Sequence, residues 1–185
     1  MSIQREQAWE LLTEYTKRQG LRKHALAVEA AMRVYAEKYG EDVEAWGIVG
    51  LIHDFDYERY PDLEDHPYKG AEILKEKGYP NDWIKAVLGH GNHTGVARES
   101  IMAKALYAVD ELTGFIVAVT LVRPSKKLAD VTANSVKKKM KDKTFAAAVN
   151  RDDIRQGAEE LGVPLDEHIT TVIGAMQGIA GELGL

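Results

Sequence analysis

The sequence contains no cysteine, so it has neither disulfide bridges nor a thiolate metal site, and any metal must be held by nitrogen and oxygen donors. It also lacks a long hydrophobic run. A stretch such as Phe115–Val119 falls far short of the roughly 20 residues needed to cross a bilayer. The opening segment Met1-Ser2-Ile3-Gln4-Arg5-Glu6 has no apolar signal core. No internal repeat, low-complexity segment or convincing strand pattern is present. A cytoplasmic soluble protein with no membrane partner is expected. The net charge of −5 argues against a general nucleic-acid binder. The 185 residues fit one domain, or one domain with a helical extension, and suffice for a sizeable core without staples.

Helical periodicity is what the sequence has throughout. Residues 3–18 place Ile3, Ala8, Leu11, Leu12 and Tyr15 on one side, and Gly20 is expected to break that helix. A second helix from about Leu21 to Tyr39 carries His24, Ala27, Val28, Ala31 and Val34/Tyr35 inward, and Gly40 ends it. Asp42 caps a third helix, Val43 to Asp54, which is apolar on most sides and reads as the central one. Pro67 opens a fourth helix, stopped by Gly78-Tyr79-Pro80, and Asn81 caps a fifth that reaches His90. Ser100 begins a long apolar helix through Val119. Asn150 caps another to about Leu161, and the last follows Pro164, with His168 read as a surface residue.

Five of the six histidines fall between positions 24 and 93. His53-Asp54 closes the apolar stretch Trp46–Leu51, and buried charge is expensive unless it is paired or bound to a metal. Either Asp54 orients the His53 ring, or both donate to one divalent cation; the clustering favours the metal. Neighbouring helical side chains diverge by about 100°, so the pair can share a cation only in the wedge between them. Asp110, beside inward-facing Leu106 and Val109, must be paired with a buried base or bound to a metal. Residues 55–65 read as a loop over this site. Asp62, Glu64 and Asp65 read as solvated charges, while Asp56 and Glu58 are near enough to position a water or brace a ligand. Gly89–Gly95 is a glycine-rich turn carrying His90 and His93, which lets backbone approach a ligand closely.

The ordered set His24, His53-Asp54, His66, His90, His93, Asp110 resembles the HD superfamily of metal-dependent phosphohydrolases. The matching stretches are Leu21–Val28, Gly50–Asp54, His66–Leu74 and Ala105–Leu112. The resemblance implies an all-α protein: an HD-domain helical bundle over residues 1–122, with a C-terminal helical extension over 123–185 packed on the same domain. It implies that His24, His53, Asp54 and Asp110 converge on one cation. It also implies that Asp54 is the catalytic residue, bridging to a second cation held by His66, His90 and His93. The cation would be Mn, Fe, Co, Ni, Mg or Zn. Family members pair the last two histidines directly, whereas here Gly91-Asn92 separate them. Asp56-Tyr57 stand where the phosphodiesterase branch has Gly-Lys, so a cyclic-dinucleotide phosphodiesterase is not expected. His93-Thr94-Gly95 is similar to HD hydrolases that split diadenosine tetraphosphate, on three residues alone.

Residues 123–143 hold eight basic side chains against Asp130 and Asp142. Arg123, Lys126 and Lys127 directly follow the Asp110 helix and are expected to grip substrate phosphate. No aromatic residue is interleaved from Arg123 to Lys143, so base stacking on nucleic acid there is unsupported. The expected function is metal-dependent hydrolysis of a phosphate ester or anhydride, with a small phosphorylated molecule, a nucleotide, as substrate. Two other readings stand beside it: a di-iron oxygenase with the same ligands, and a catalytically silent binding module that keeps its metal for structure. The sequence sets no oligomeric state.

Overall fold

A computed structural model describes residues 3–185; Met1 and Ser2, where the signal-segment reading and the first domain span begin, lie outside the described residues. The described residues form ten α-helices and no strand. In order they are α1 (Arg5–Tyr15), α2 (Gln19–Tyr39), α3 (Val43–Ile52), α4 (Tyr68–Glu76), α5 (Asn81–Gly89), α6 (Ile101–Leu121), α7 (Ala133–Met140), α8 (Arg151–Leu161), α9 (Leu165–Gln177) and α10 (Ala180–Leu183). Single 3-10 turns occur at Asn92–Thr94 and Leu128–Asp130. None of these helices is long and apolar enough to cross a membrane.

Two helices carry the core. Every residue of α3 from Trp46 to Ile52 is buried, because the segment packs against α1, α2, α5 and α6. Each large apolar side chain so enclosed contributes about 1.5–3 kcal/mol. Asp42 starts α3 by accepting from the backbone N–H groups of Glu44 and Ala45, and His53 ends it. Gly50 has a steric reason to be there: a Cβ at this position would lie 3.0 Å from the Glu29 backbone, where α2 crosses. The second central helix, α6, is capped by Ser100 and packs against α2, α5, α8 and α9. Its crossing with α8 is closer still, since a Cβ on Gly157 would sit 2.6 Å from Ala108 Cα.

Several boundaries differ from the sequence expectation. Gly20 lies inside the first turn of α2, and the break falls at Thr16–Arg18 instead. Tertiary bonds hold that break: the buried Thr16 hydroxyl donates to the Phe55 carbonyl at 2.9 Å, and Arg22 Nε donates to the Thr16 carbonyl at 2.7 Å. Pro67 precedes α4 instead of opening it, and Asn81 is the first residue of α5 rather than its cap, a place that Pro80 takes. The basic stretch, read without an element, contains α7, started by a Thr132–Ser135 capping box and anchored by buried Val136 and Met140. His168 is fully buried rather than on the surface. Its Nε2–H donates to the Ala108 carbonyl at 2.8 Å, and its Nδ1 accepts from the Tyr35 hydroxyl, so α9 is tied to α6 and α2 at once.

Candidate metal centre

His24, Asp54, His66, His90 and Asp110 line one cavity of about 460 Å³, and the wholly buried His53 packs against His24 and His90. His24 comes from the first turns of α2, His53 and Asp54 from the end of α3, His66 from just before α4, His90 from the end of α5, and Asp110 from mid-α6. The rings of His24, His53, His90 and His66 follow one another edge to face, with successive centroids 5.2–5.3 Å apart. Two donor groups result, each with its atoms within 4.8 Å of one another: His24, His53, Asp54 and Asp110, and then Asp54, His66 and His90.

Asp54 belongs to both groups, and its oxygens divide between them. Oδ1 lies 3.2 Å from Nε2 of His66 and 3.2 Å from Nε2 of His90. Oδ2 lies 3.5 Å from Nε2 of His53 and 4.0 Å from Nε2 of His24. Asp110 Oδ1 faces the same two nitrogens of the first group, at 2.9 Å from His24 and 3.3 Å from His53.

The far side of each ring explains why Nε2 points inward. Carbonyl oxygens only accept, so His53 donates from Nδ1 to Gly50 at 2.7 Å, and His90 donates from Nδ1 to Val87. His66 donates from Nδ1 to Asp56 Oδ1 at 2.9 Å. His24 Nδ1 lies 3.4 Å from the Thr113 hydroxyl, whose own proton goes to the Asp110 carbonyl at 2.8 Å. These outer bonds fix ring orientation and tautomer, which leaves four Nε2 lone pairs directed at two carboxylates. Lone pairs facing carboxylate oxygens repel unless a proton or a metal cation sits between them. His53 Nε2 shows this most directly, since it is buried and makes no hydrogen bond. The all-nitrogen-and-oxygen donor set therefore fits a divalent cation.

The electrostatics agree. Burial pulls the His66 pKa down, but the carboxylates of Asp54 and Asp56 more than offset it and raise it to about 10. His53 and His90 are raised in the same way against their burial. Burial pushes Asp54 and Asp110 up, yet the facing imidazoles hold both below the usual carboxylate range. Such a site draws in positive charge, as protons or as a cation, so metal binding must displace protons. Glu111, beside Asp110 on the wall, is pushed to about 7 by burial and by the Asp110 charge.

Asp56 is wholly buried, and besides His66 it accepts from the Gly70 backbone N–H at 2.8 Å. A Cβ on Gly70 would lie 2.8 Å from that carboxyl carbon, so the glycine lets the carboxylate approach. Glu58 faces away and accepts from the Lys17 and Arg18 backbone. His93 lines the cavity but stands outside both donor groups, with Nε2 donating to the His66 carbonyl at 2.9 Å. The 3-10 turn that follows Gly91 swings it away from His90. Arg123, Lys126 and Lys127 are not brought to this cavity. From Asp110 to the end of α6 is a run of roughly 16 Å at about 1.5 Å per residue, which carries the basic segment off. Lys126 and Lys127 instead line a separate cavity with Gln177 and Leu185. Sequence reasoning missed Asn92, Tyr107, Glu111 and Asp153, which form the opposite wall. No local pattern marks them: Tyr107 and Glu111 lie on α6, Asn92 in the 3-10 turn, and Asp153 on α8, which meets the site only through tertiary packing.

A helical bundle with two histidine–carboxylate groups that share one aspartate defines a protein able to hold divalent metal. The HD domain family model matches residues 21–114, and the chain belongs to that family. The family is generally one of metal-dependent phosphohydrolases. A comparison of the chain with curated proteins found no match.

Proposed function

We propose that the protein hydrolyses a phosphate ester or anhydride, a nucleotide by class, with two divalent cations held on either side of Asp54. The observation that carries this reading is the division of the Asp54 oxygens, one toward His24 and His53 and the other toward His66 and His90. His24, His53, Asp54 and Asp110 would hold the first cation, and Asp54, His66 and His90 the second. Bound there, divalent cations acidify water and neutralise charge building on the phosphoryl oxygens. Asp54 acts by setting the separation of the two groups, while Asp56, Thr113 and the Gly50 and Val87 carbonyls keep each ring aimed. His93 is left as a wall residue positioned for substrate. Residues beyond 122 belong with the HD core, because α8 supplies part of that wall.

The test is metal analysis of purified native protein, paired with a hydrolysis screen over phosphate esters and anhydrides. Two equivalents of metal per chain, falling to one in His66→Ala, together with metal-dependent phosphate release, are expected. Bound metal without turnover would favour a silent binding module. An oxygen-dependent product with bound iron would favour an oxygenase, which the same nitrogen and oxygen donors can serve.

A further inference from the structure

The wall facing the two donor groups has a charge pattern that bears on which phosphate compound enters. Among the described residues, none of the side chains lining the cavity is a lysine or an arginine. Asp153 and Glu111 are acidic there, in addition to Asp54 and Asp110. Arg151 is tied to the Val149 carbonyl at 2.7 Å, and Arg98 is fixed behind the Asn92–Tyr107 wall. It donates twice to Glu160, each bond 2.7 Å, and lies 3.6 Å from the centroid of the Tyr107 ring.

From that position Arg98 donates to Asn92 Oδ1 at 3.1 Å. Asn92 Nδ2 then donates to the Tyr107 oxygen at 3.0 Å and to Asp153 Oδ1 at 3.1 Å. The amide is thereby locked in one orientation. The Tyr107 hydroxyl, which accepts from Asn92, donates in turn to Asp153, and the Asp153 carboxylate, with about four lone-pair sites, keeps spare acceptor capacity. Asp153 lies one helical turn before Gly157, the point where α8 meets the α6 backbone, so its position is set by a rigid crossing.

We propose that this cavity takes a phosphate monoester of a hydroxylated alcohol, with Asp153 accepting a hydrogen bond from a hydroxyl of the leaving group, and disfavours polyphosphates. The inference rests on the two-cation phosphohydrolase reading. At the donor groups themselves, two divalent cations against Asp54 and Asp110 leave about two positive charges, which one phosphate monoester dianion cancels, while Asp153 and Glu111 keep the facing wall acidic. A second phosphoryl group would find no cation and would face Asp153 and Glu111. In the reaction, a water oxygen bonds to phosphorus as the bond from phosphorus to the alcohol oxygen breaks. The alcohol departs with one proton from that water, and inorganic phosphate remains.

The experiment compares adenosine monophosphate, ATP and p-nitrophenyl phosphate, whose leaving group carries no further hydroxyl, on the metal-loaded full chain. The monophosphate is expected to exceed ATP in kcat/KM by on the order of 10- to 100-fold. Asp153→Ala should raise the KM of the monophosphate about tenfold relative to that of p-nitrophenyl phosphate, the loss of a hydrogen bond to a charged group. Asp153→Asn, which keeps the shape, should narrow the gap between the monophosphate and ATP. A wild-type preference for ATP, or an equal loss on both esters in Asp153→Ala, would overturn the inference and leave the phosphohydrolase reading intact. Absence of any phosphate release with both metals bound would remove that reading and this inference together.

Discussion

At the scale of single residues, the site is defined by what lies behind each ligand as much as by the ligand itself. Asp110 sits in an apolar helix and faces two imidazole nitrogens, so its removal leaves both without their common partner. In Asp110→Ala, metal content and turnover should be lost together. Because metal binds only the folded state, stability should also fall, by about 2.7 kcal/mol where free metal had stood at 100 times its Kd. Full metal occupancy in that variant would disprove the first donor group. His168 provides a second test, one that involves pH. Burial holds its folded-state pKa at about 4, below the ordinary 6.5 of an unfolded imidazole. Between these values the unfolded chain binds more protons, so the contribution of His168 is complete above pH 6.5 and is lost as pH falls toward 4. The total is on the order of 3 kcal/mol. Urea titrations of wild type and His168→Gln across this range should converge at low pH. A constant offset between them would mean that His168 does not resist protonation.

At the scale of elements, close crossings decide where functional groups stand. Gly157 allows α8 to touch α6 at Ala108, two residues from Asp110, and the same contact places Asp153 over the cavity. Gly157→Ala inserts a methyl 2.6 Å from the Ala108 Cα, and backbone cannot yield as a flexible side chain can. Overpacking of this kind costs about 1–3 kcal/mol, which a denaturant midpoint will register. The length of α6 has the opposite effect on the basic segment, which it carries beyond reach of the metal ligands. Arg123→Ala, Lys126→Ala and Lys127→Ala should therefore leave KM near its wild-type value. A raised KM in the Arg123 variant would return that segment to the substrate.

At the scale of the whole molecule, a cation held by the donor groups would couple its own binding to the stability of the fold. The donor groups draw on α2, α3, α5, α6 and the segment before α4, so a cation bound there links elements that are distant in sequence. Chelation should lower the unfolding temperature, and re-addition of metal should restore it in proportion to the logarithm of metal concentration. An unchanged melting curve after complete removal would show that the bundle does not depend on its ligands. Protons compete for the same nitrogens, so metal affinity should also weaken as pH falls.

Much of this was readable from the sequence alone. The helical periods of α2, α3, α6, α8 and α9 follow from where apolar residues recur, and caps such as Asp42, Ser100 and Asn150 mark their starts through local hydrogen bonding. The ordered histidines and aspartates pointed to metal, because such groups are not buried without a partner. What the sequence did not contain is distance. Whether Gly20 or Thr16 ends α1 depends on a bond to Phe55, 39 positions away. Whether His168 faces water depends on Tyr35 and Ala108 on two other helices. His93 and the basic segment were both expected at the site; the 3-10 turn leaves His93 on the cavity wall outside the donor groups, and the reach of α6 carries the basic segment away from it. Local chemistry determines which residues can form a helix or hold a cation. Which of them converge is settled only by packing, because that choice rests on contacts between elements far apart along the chain.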